Sequence, residues 1–255
     1  MRKCRTRRHI TGSEYALPMR WPAEFVSLLL CFANRVTEVG DLDISEALFH
    51  WTPLYLNFGL PQTFDAADPT WQRFLAGYRS AAYPVEWTHS FYLSRARDYP
   101  ESPFGCFSYQ CEPEQGSIRF HFGNHDASGH RPLSERQRSE RLQELRTLFT
   151  DVRQQVPEAQ SVRGRSWMYN LAPYCRLFPT KYNRSAAPVE AELQYMSLWG
   201  QFLDHAWNVR SDRVRTFLDQ LAVASTCDEL MQSFPMPVLA PVCSIDHFYA
   251  FYGIR

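Results

Sequence analysis

The sequence predicts a mixed α/β protein built on one sheet, and three observations carry that expectation. Apolar residues recur at helical spacing in the first third, aromatic and β-branched runs follow in the middle, and a long capped helix separates two of those runs. Of the 255 residues, 45% are hydrophobic and 15% aromatic, enough to fill a sizeable core and to set aside global disorder. Residues 1–20 read as a disordered basic tail carrying Arg2, Lys3, Arg5, Arg7 and Arg8, with Met19 as an alternative start. Residues 21–255 read as a single α/β domain, helical over 21–85, with the sheet core over 86–170 and helices again over 171–255.

A first helix is expected after Pro22, which suits a first turn, with Phe25, Leu28, Leu29, Phe32 and Val36 on one face. A second is expected over about 41–51, and a third after Asp68, a capping residue followed by Pro69, with Trp71, Phe74, Leu75 and Tyr78 turned inward. Residues 88–95, 104–110 and 117–123 read as three strands of an antiparallel meander, separated by Pro100, Pro103 and the turn Glu114-Gln115-Gly116. In the last of them Ile118, Phe120 and Phe122 alternate with Arg119, His121 and Gly123, so one face is apolar and His121 lies on the other. Ser134 and Gln137 have capping-box spacing, and Leu142, Leu145, Leu148, Phe149 and Val152 line the helix they open until Pro157 stops it. Residues 160–167 read as a further strand, and a helix of this length between two strands predicts a βαβ crossover. Residues 189–207, a segment from Ser211 and one capped by Thr226 with Glu229 read as helices, before Pro235, Pro237 and Pro241 break the chain ahead of an aromatic tail.

Charge and cysteine content narrow the function classes. Equal numbers of basic and acidic residues, 27 each, leave no overall field to attract nucleic acid or anionic lipid. All but two of the basic residues, Lys3 and Lys181, are arginine, a bias that genome base composition explains as readily as bidentate anion recognition. The helix after Ser134 interleaves Arg136, Arg138, Arg141, Arg146 and Arg153 with Glu135, Glu140, Glu144 and Asp151, the pattern of a solvated face. Seven cysteines, at 4, 31, 106, 111, 175, 227 and 243, include no Cys-x-x-Cys pair, which argues against a disulfide framework or zinc ribbon and for a reducing cytoplasm. The apolar run over 25–33 is too short and too late for a signal peptide or membrane span. Phosphate-loop, dinucleotide, zincin and nucleophile-elbow motifs are missing.

The order of helices, meander, long helix, crossover strand and helices resembles the core of the GNAT superfamily of acyl-CoA-dependent N-acyltransferases. The stretch from His121 to Leu133, with Ser166-Trp167 and Leu177-Phe178-Pro179, is similar to a C-terminal acyltransferase domain of poorly characterised bacterial GNAT-like proteins. The resemblance implies that the loop over 123–134 cradles the pyrophosphate of coenzyme A and that the strand over 160–167 splays away to admit the pantetheine arm. The family's loop reads Arg or Gln, two residues, Gly, one residue, Gly or Ala; here Asp126-Ala-Ser-Gly129-His-Arg131 keeps only Gly129. Arg131 and the helix start at Ser134 offer anion contacts in its place. An acyl-CoA donor and a small-molecule amine acceptor follow from the resemblance, and no metal is expected.

His121, His125 and Asp126 mark the end of a strand and the loop behind it, where functional groups commonly project. A neutral His121 or His125 can deprotonate an amine before acyl transfer. As metal ligands the pair is poorly placed, because His-x-x-x-His in an extended strand separates the imidazoles by about 13 Å, unless the chain turns sharply at Gly123-Asn124. The plainer reading is a set of hydrogen-bonding residues that shape the turn. Over 163–170, Gly164 allows close backbone approach and Arg163, Ser166 and Asn170 are candidate substrate contacts. Tyr169, or Tyr174, is the proton donor that the resemblance implies for the departing thiolate, although the neighbouring Trp167, Met168 and Leu171 read as core. Lesser constellations are Glu46 with His50 on one helix face, and Cys243 with Asp246 and His247, while Cys106 reads as an inert buried thiol. Two other classes compete with the acyltransferase: a binding or assembly module whose aromatic surplus, including Trp199, Trp207 and residues 248–252, faces a protein partner or a second copy, and a metal-dependent enzyme using His121, His125 and Asp126.

Overall fold

The computed structural model describes residues 20–96, 102–123 and 130–255. The expected tail up to residue 19, together with Pro100, His125, Asp126 and Gly129, lies outside the described residues. Helix α1 (Ala23–Gly40) follows Pro22 and buries Phe25, Leu28, Leu29, Phe32 and Val36, as the spacing predicts. Helix α2 (Ile44–His50) is capped by Asp43, whose carboxylate accepts the Ser45 amide at 2.7 Å. One further turn, α3 (Leu54–Asn57), precedes α4 (Pro69–Ser80), where Asp68 accepts the Thr70 and Trp71 amides at 2.7 and 3.1 Å.

The expected strand over 88–95 is instead the body of α5 (Pro84–Arg95). Pro84 occupies its first turn, and Thr88, Phe91 and Tyr92, which β propensity favours as strand residues, are spaced to share one buried helix face. Its Trp87 lies on α4 at Gly77, where a Cβ would overlap the indole, and the indole N–H donates to the Phe74 carbonyl at 3.1 Å.

The expected three-stranded meander is therefore reduced to a two-stranded hairpin. Strands β1 (Phe107–Glu112) and β2 (Ser117–Phe122) pair from Phe107 opposite Phe122 to Glu112 opposite Ser117. A 3₁₀ turn, Pro113–Gln115, and Gly116 at φ 56° reverse the chain between them. After a second 3₁₀ turn, Glu135–Gln137, helix α6 (Arg138–Gln155) buries Leu145, Leu148, Phe149 and Val152 and ends before Pro157. The Ser134 hydroxyl makes no capping bond, so the expected capping box does not form. Strand β3 (Ser161–Arg163) then pairs in parallel with β2, which establishes the crossover, but it stops at Arg163 rather than running to 167.

A 3₁₀ turn, Trp167–Asn170, leads into α7 (Ala172–Cys175) and α8 (Thr180–Arg184). Over 189–207 the expected long helix is reduced to α9 (Met196–Trp199) and the 3₁₀ turn Gly200–Phe202. The start of this segment is drawn out by distant backbone: Val189 donates to Val238 at 3.0 Å and Ala240 to Ala187 at 2.9 Å. Helices α10 (Ser211–Val223) and α11 (Cys227–Gln232) begin where expected, the second with Thr226 Oγ1 accepting the Glu229 amide at 3.2 Å. Strand β4 (Val242–Ser244), antiparallel to β3, and α12 (Asp246–Tyr252) complete an open sheet of order β1-β2-β3-β4.

Two apolar clusters result. One joins α1–α5 to residues 193–238; the other joins the sheet to α6, α7, α8 and α12. The chain thus leaves the first cluster after α5, builds most of the second, returns, and ends in the second. Trp167 sits where they meet, with the Arg213 guanidinium 5.5 Å over its ring, Gly200 against its Nε1, and Ser166 bridged to Leu239 beside it. Among the described residues no helix is long and apolar enough to cross a membrane.

Arg141 departs from the solvated face that α6 was expected to present. It is 1% exposed, while Leu142 is only partly buried. Its guanidinium meets Glu144 Oε1 at 3.0 Å and Glu140 Oε1 at 3.1 Å and donates to Cys106 Sγ, and Glu144 Oε2 accepts the Cys106 amide at 3.2 Å. Gly105, at φ 61°, admits the Glu144 carboxylate where a Cβ would overlap it. Replacing Glu144 with Gln removes the more buried of the two carboxylates beside Arg141 and leaves Glu140, whose side chain is 57% exposed; it is expected to lower stability in urea unfolding by about 1–3 kcal/mol, and joint replacement of Arg141 and Glu144 by Met to recover most of the loss. Gly77→Ala is expected to lower stability by about 1–3 kcal/mol through overpacking against Trp87.

Candidate functional site

Alternation along the strands sorts the sheet into two faces. Phe107, Ile118, Phe120 and Val162 point to the covered side, where Phe120 meets Phe178 at 5.0 Å and Phe248 at 6.5 Å. Ser108, Gln110, His121, Arg163 and Ser244 point the other way and are exposed, with Glu112 and Arg119 partly so. The sheet is thus covered on one side and polar on the other.

His121 stands on the polar face opposite Ser108. Partial removal from water and the nearby Arg119 guanidinium push its pKa below the ordinary imidazole value, and Glu112 opposes them. Arg119 is itself ion-paired to Glu112, at 2.6 Å, and in register beside Arg163, which donates to Gln115 Oε1 in the hairpin turn. The sequence pattern places Arg119 and His121 on one face, and only the hairpin register brings Glu112 and Gln115 alongside them.

The β2–β3 ladder is short. It runs from Ser117 beside Ser161 to Arg119 beside Arg163, and β2 then continues to Phe122 with no strand next to it on that side among the described residues. Tyrosines fill the covered side of this opening. Tyr182 packs on Phe120 at 6.1 Å and Tyr174 on Phe122 at 5.8 Å, and the Tyr169 and Tyr182 hydroxyls bond at 2.9 Å beneath Gly164, where a Cβ would overlap both. Burial raises the pKa of all three phenols far above the ordinary value. The expected base and acid are therefore separated: His121 is on the open face and Tyr169 is enclosed on the covered one.

The other expected substrate contacts divide in the same way. Arg163 remains on the open face, whereas Ser166 Oγ accepts the Met168 amide at 3.1 Å and Asn170 donates to the Trp167 and Pro237 carbonyls at 2.6 and 2.9 Å. Ser166 and Asn170 thus hold the turn after β3 and its seam with residues 237–239. At the entrance to α6, Arg131 is exposed and the Ser134 hydroxyl oxygen is buried with no hydrogen-bond partner. Arg176 fixes this entrance by donating to the Leu133 carbonyl at 2.9 Å and pairing with Glu135. His125, Asp126 and Gly129 lie outside the described residues, among which no three His, Cys, Asp or Glu side chains converge as a metal site.

The lesser constellations gain no chemistry. Glu46 and His50 are both exposed and form no ion pair with each other. The Cys243 thiol is pushed up to about 11 by burial, leaving almost no thiolate at neutral pH. Cys106 is buried, as expected, and forms no disulfide, its sulfur accepting from Arg141. Of the aromatic residues considered for an interface, Trp199, Phe248 and Tyr252 are buried in the cores, and Phe251 alone is well exposed, at 46%.

His121 yields a direct check by histidine NMR. Arg119→Gln is expected to raise its pKa and Glu112→Gln to lower it further. Since the folded-state value lies below the ordinary 6.5, the contribution of His121 to stability is complete above that pH and declines as pH falls through it toward the folded-state value. Stability that His121→Gln leaves unchanged in that window would show the ring to be unperturbed. Comparison of the chain with protein-family models, with curated proteins and with solved structures finds no match.

Proposed function

We propose that the chain is a GNAT-like acyltransferase that moves an acyl group from coenzyme A to a small-molecule amine. The observation that supports this reading most is the opening of the parallel pair: after a β2–α6–β3 crossover, pairing lasts only to Arg119 and Arg163 while β2 runs on to Phe122. In the resembling superfamily such an opening receives the pantetheine arm, and the entrance to the following helix receives the pyrophosphate. Arg131 and the unpartnered Ser134 hydroxyl at that entrance are suited to an anion, beside the helix N-terminus.

The bound thioester supplies the acyl carbon, the C–N bond forming as the C–S bond breaks. His121, on the open face, takes the proton that the amine gives up. The thiolate is protonated from solvent, because the Tyr169 and Tyr182 hydroxyls bond each other on the covered face. With that side filled by tyrosines, donor and acceptor approach along the polar face.

A thermal-shift titration with coenzyme A and short acyl-CoAs tests the reading. A ligand that binds only the folded form adds about 2.7 kcal/mol at a hundredfold excess over its dissociation constant. A saturable rise in Tm that Arg131→Ala diminishes, with turnover that His121→Gln lowers by about 10²–10⁴-fold, is the expected result. Folded protein with no shift at millimolar ligand would sink it.

A further inference from the structure

The polar face carries a pair of like charges that the fold places side by side. Arg119 and Arg163 are Cα partners in the parallel ladder, so their side chains leave neighbouring strands, about 4.8 Å apart, in the same direction. Like charges in direct register repel and weaken a sheet unless something stands between them. Of the two arginines Glu112 pairs with Arg119, at 2.6 Å, while its other oxygen accepts the Ser117 hydroxyl at 2.9 Å, and Arg163 donates to the neutral amide of Gln115. Among the described residues the second guanidinium thus has no carboxylate in an ion pair with it. Val242, the residue in register with Arg163 on its other side, is apolar and 47% exposed. His121 follows Arg119 by two residues on the same face, a spacing of about 6.8 Å along the strand.

We infer that Arg119 and Arg163 form an anion clamp on the open sheet face, which holds the carboxylate or phosphate of an acceptor whose amine reaches His121. An anionic oxygen pair bridging the two guanidiniums removes their repulsion and gains charge-assisted hydrogen bonds, a geometry arginine serves better than lysine. The naming of the ligand as an acceptor rests on the proposed acyl transfer; the clamp itself rests on the register. The acceptor class is then amino acids or amino phosphates rather than neutral amines, with a spacer long enough to run from the guanidiniums, held on the Glu112 and Gln115 side, back along β2 to His121.

The experiment follows the His121 ring resonances of the full chain by NMR at constant ionic strength, without coenzyme A. The probes are inorganic phosphate, 4-aminobutyrate and butylamine. Saturable shifts of His121 with phosphate or 4-aminobutyrate, but not with butylamine, are expected, and whichever anion acts identifies the group as phosphoryl or carboxylate. Arg163→Gln, at an exposed position, is expected to weaken binding by about tenfold or more with spectral dispersion unchanged, and Arg163→Lys to restore it in part. No saturable shift at millimolar anion, or equal binding by Arg163→Gln, overturns the clamp. Anion binding in a protein that ignores coenzyme A would leave the clamp standing and remove the acyltransferase; coenzyme A binding without an anion response would do the reverse.

Discussion

The two-residue alternation along β2 is the constraint on which the rest of the structure depends. Successive side chains on a strand must leave opposite faces, so Ile118, Phe120 and Phe122 go to one side and Arg119 and His121 to the other. The apolar side needs cover, and α6, α8 and α12 supply it through Phe149, Tyr182 and Phe248. The polar side needs none. A slip of one residue would bury an arginine and a histidine and expose three aromatic or aliphatic groups, so one register sets both the core and the face that carries the chemistry.

A second constraint acts beside the start of β1. Arg141 is drawn into the interior by Glu144 and Cys106, and the positive φ of Gly105 makes room for the carboxylate. A buried charge of this kind is tolerated only with close partners, and the partners come from a helix and a turn that are far apart in sequence. Its effect is to tie α6, the helix of the crossover, to the start of β1.

The path of the chain between its two clusters adds a further link. Residues 187–189 and 238–240 run alongside each other, and Ser166 bridges to Leu239 next to Trp167. Short-range preferences for helix at the start of the segment from 189 yield to these backbone hydrogen bonds, which hold the exposed residues 187–189 extended along 238–240. The same seam engages Asn170 and Ser166, so the segment after β3 is held by structural bonds while Arg163, one step earlier, stays free to face solvent on the polar side.

By itself the sequence determined what local chemistry decides: the Asp68 and Thr226 caps, the proline-led α1 and α4, the face of α6 around Leu145 and Phe149, the alternation of β2, and the helical link to a further strand. These depend on neighbours within one helical turn or two strand residues. Tertiary structure decided the remainder. It packed Trp87 of α5 against Gly77, drew 187–189 out alongside 238–240, and recruited β4 from a short segment that no local signal marked. In the candidate site, sequence alternation put Arg119 and His121 on one face, but only the register of β3 set Arg163 beside them, and only packing enclosed Tyr169 on the far side. The division has one physical reason: a strand's faces are fixed by its own backbone, whereas its neighbours are fixed by contacts between residues distant along the chain.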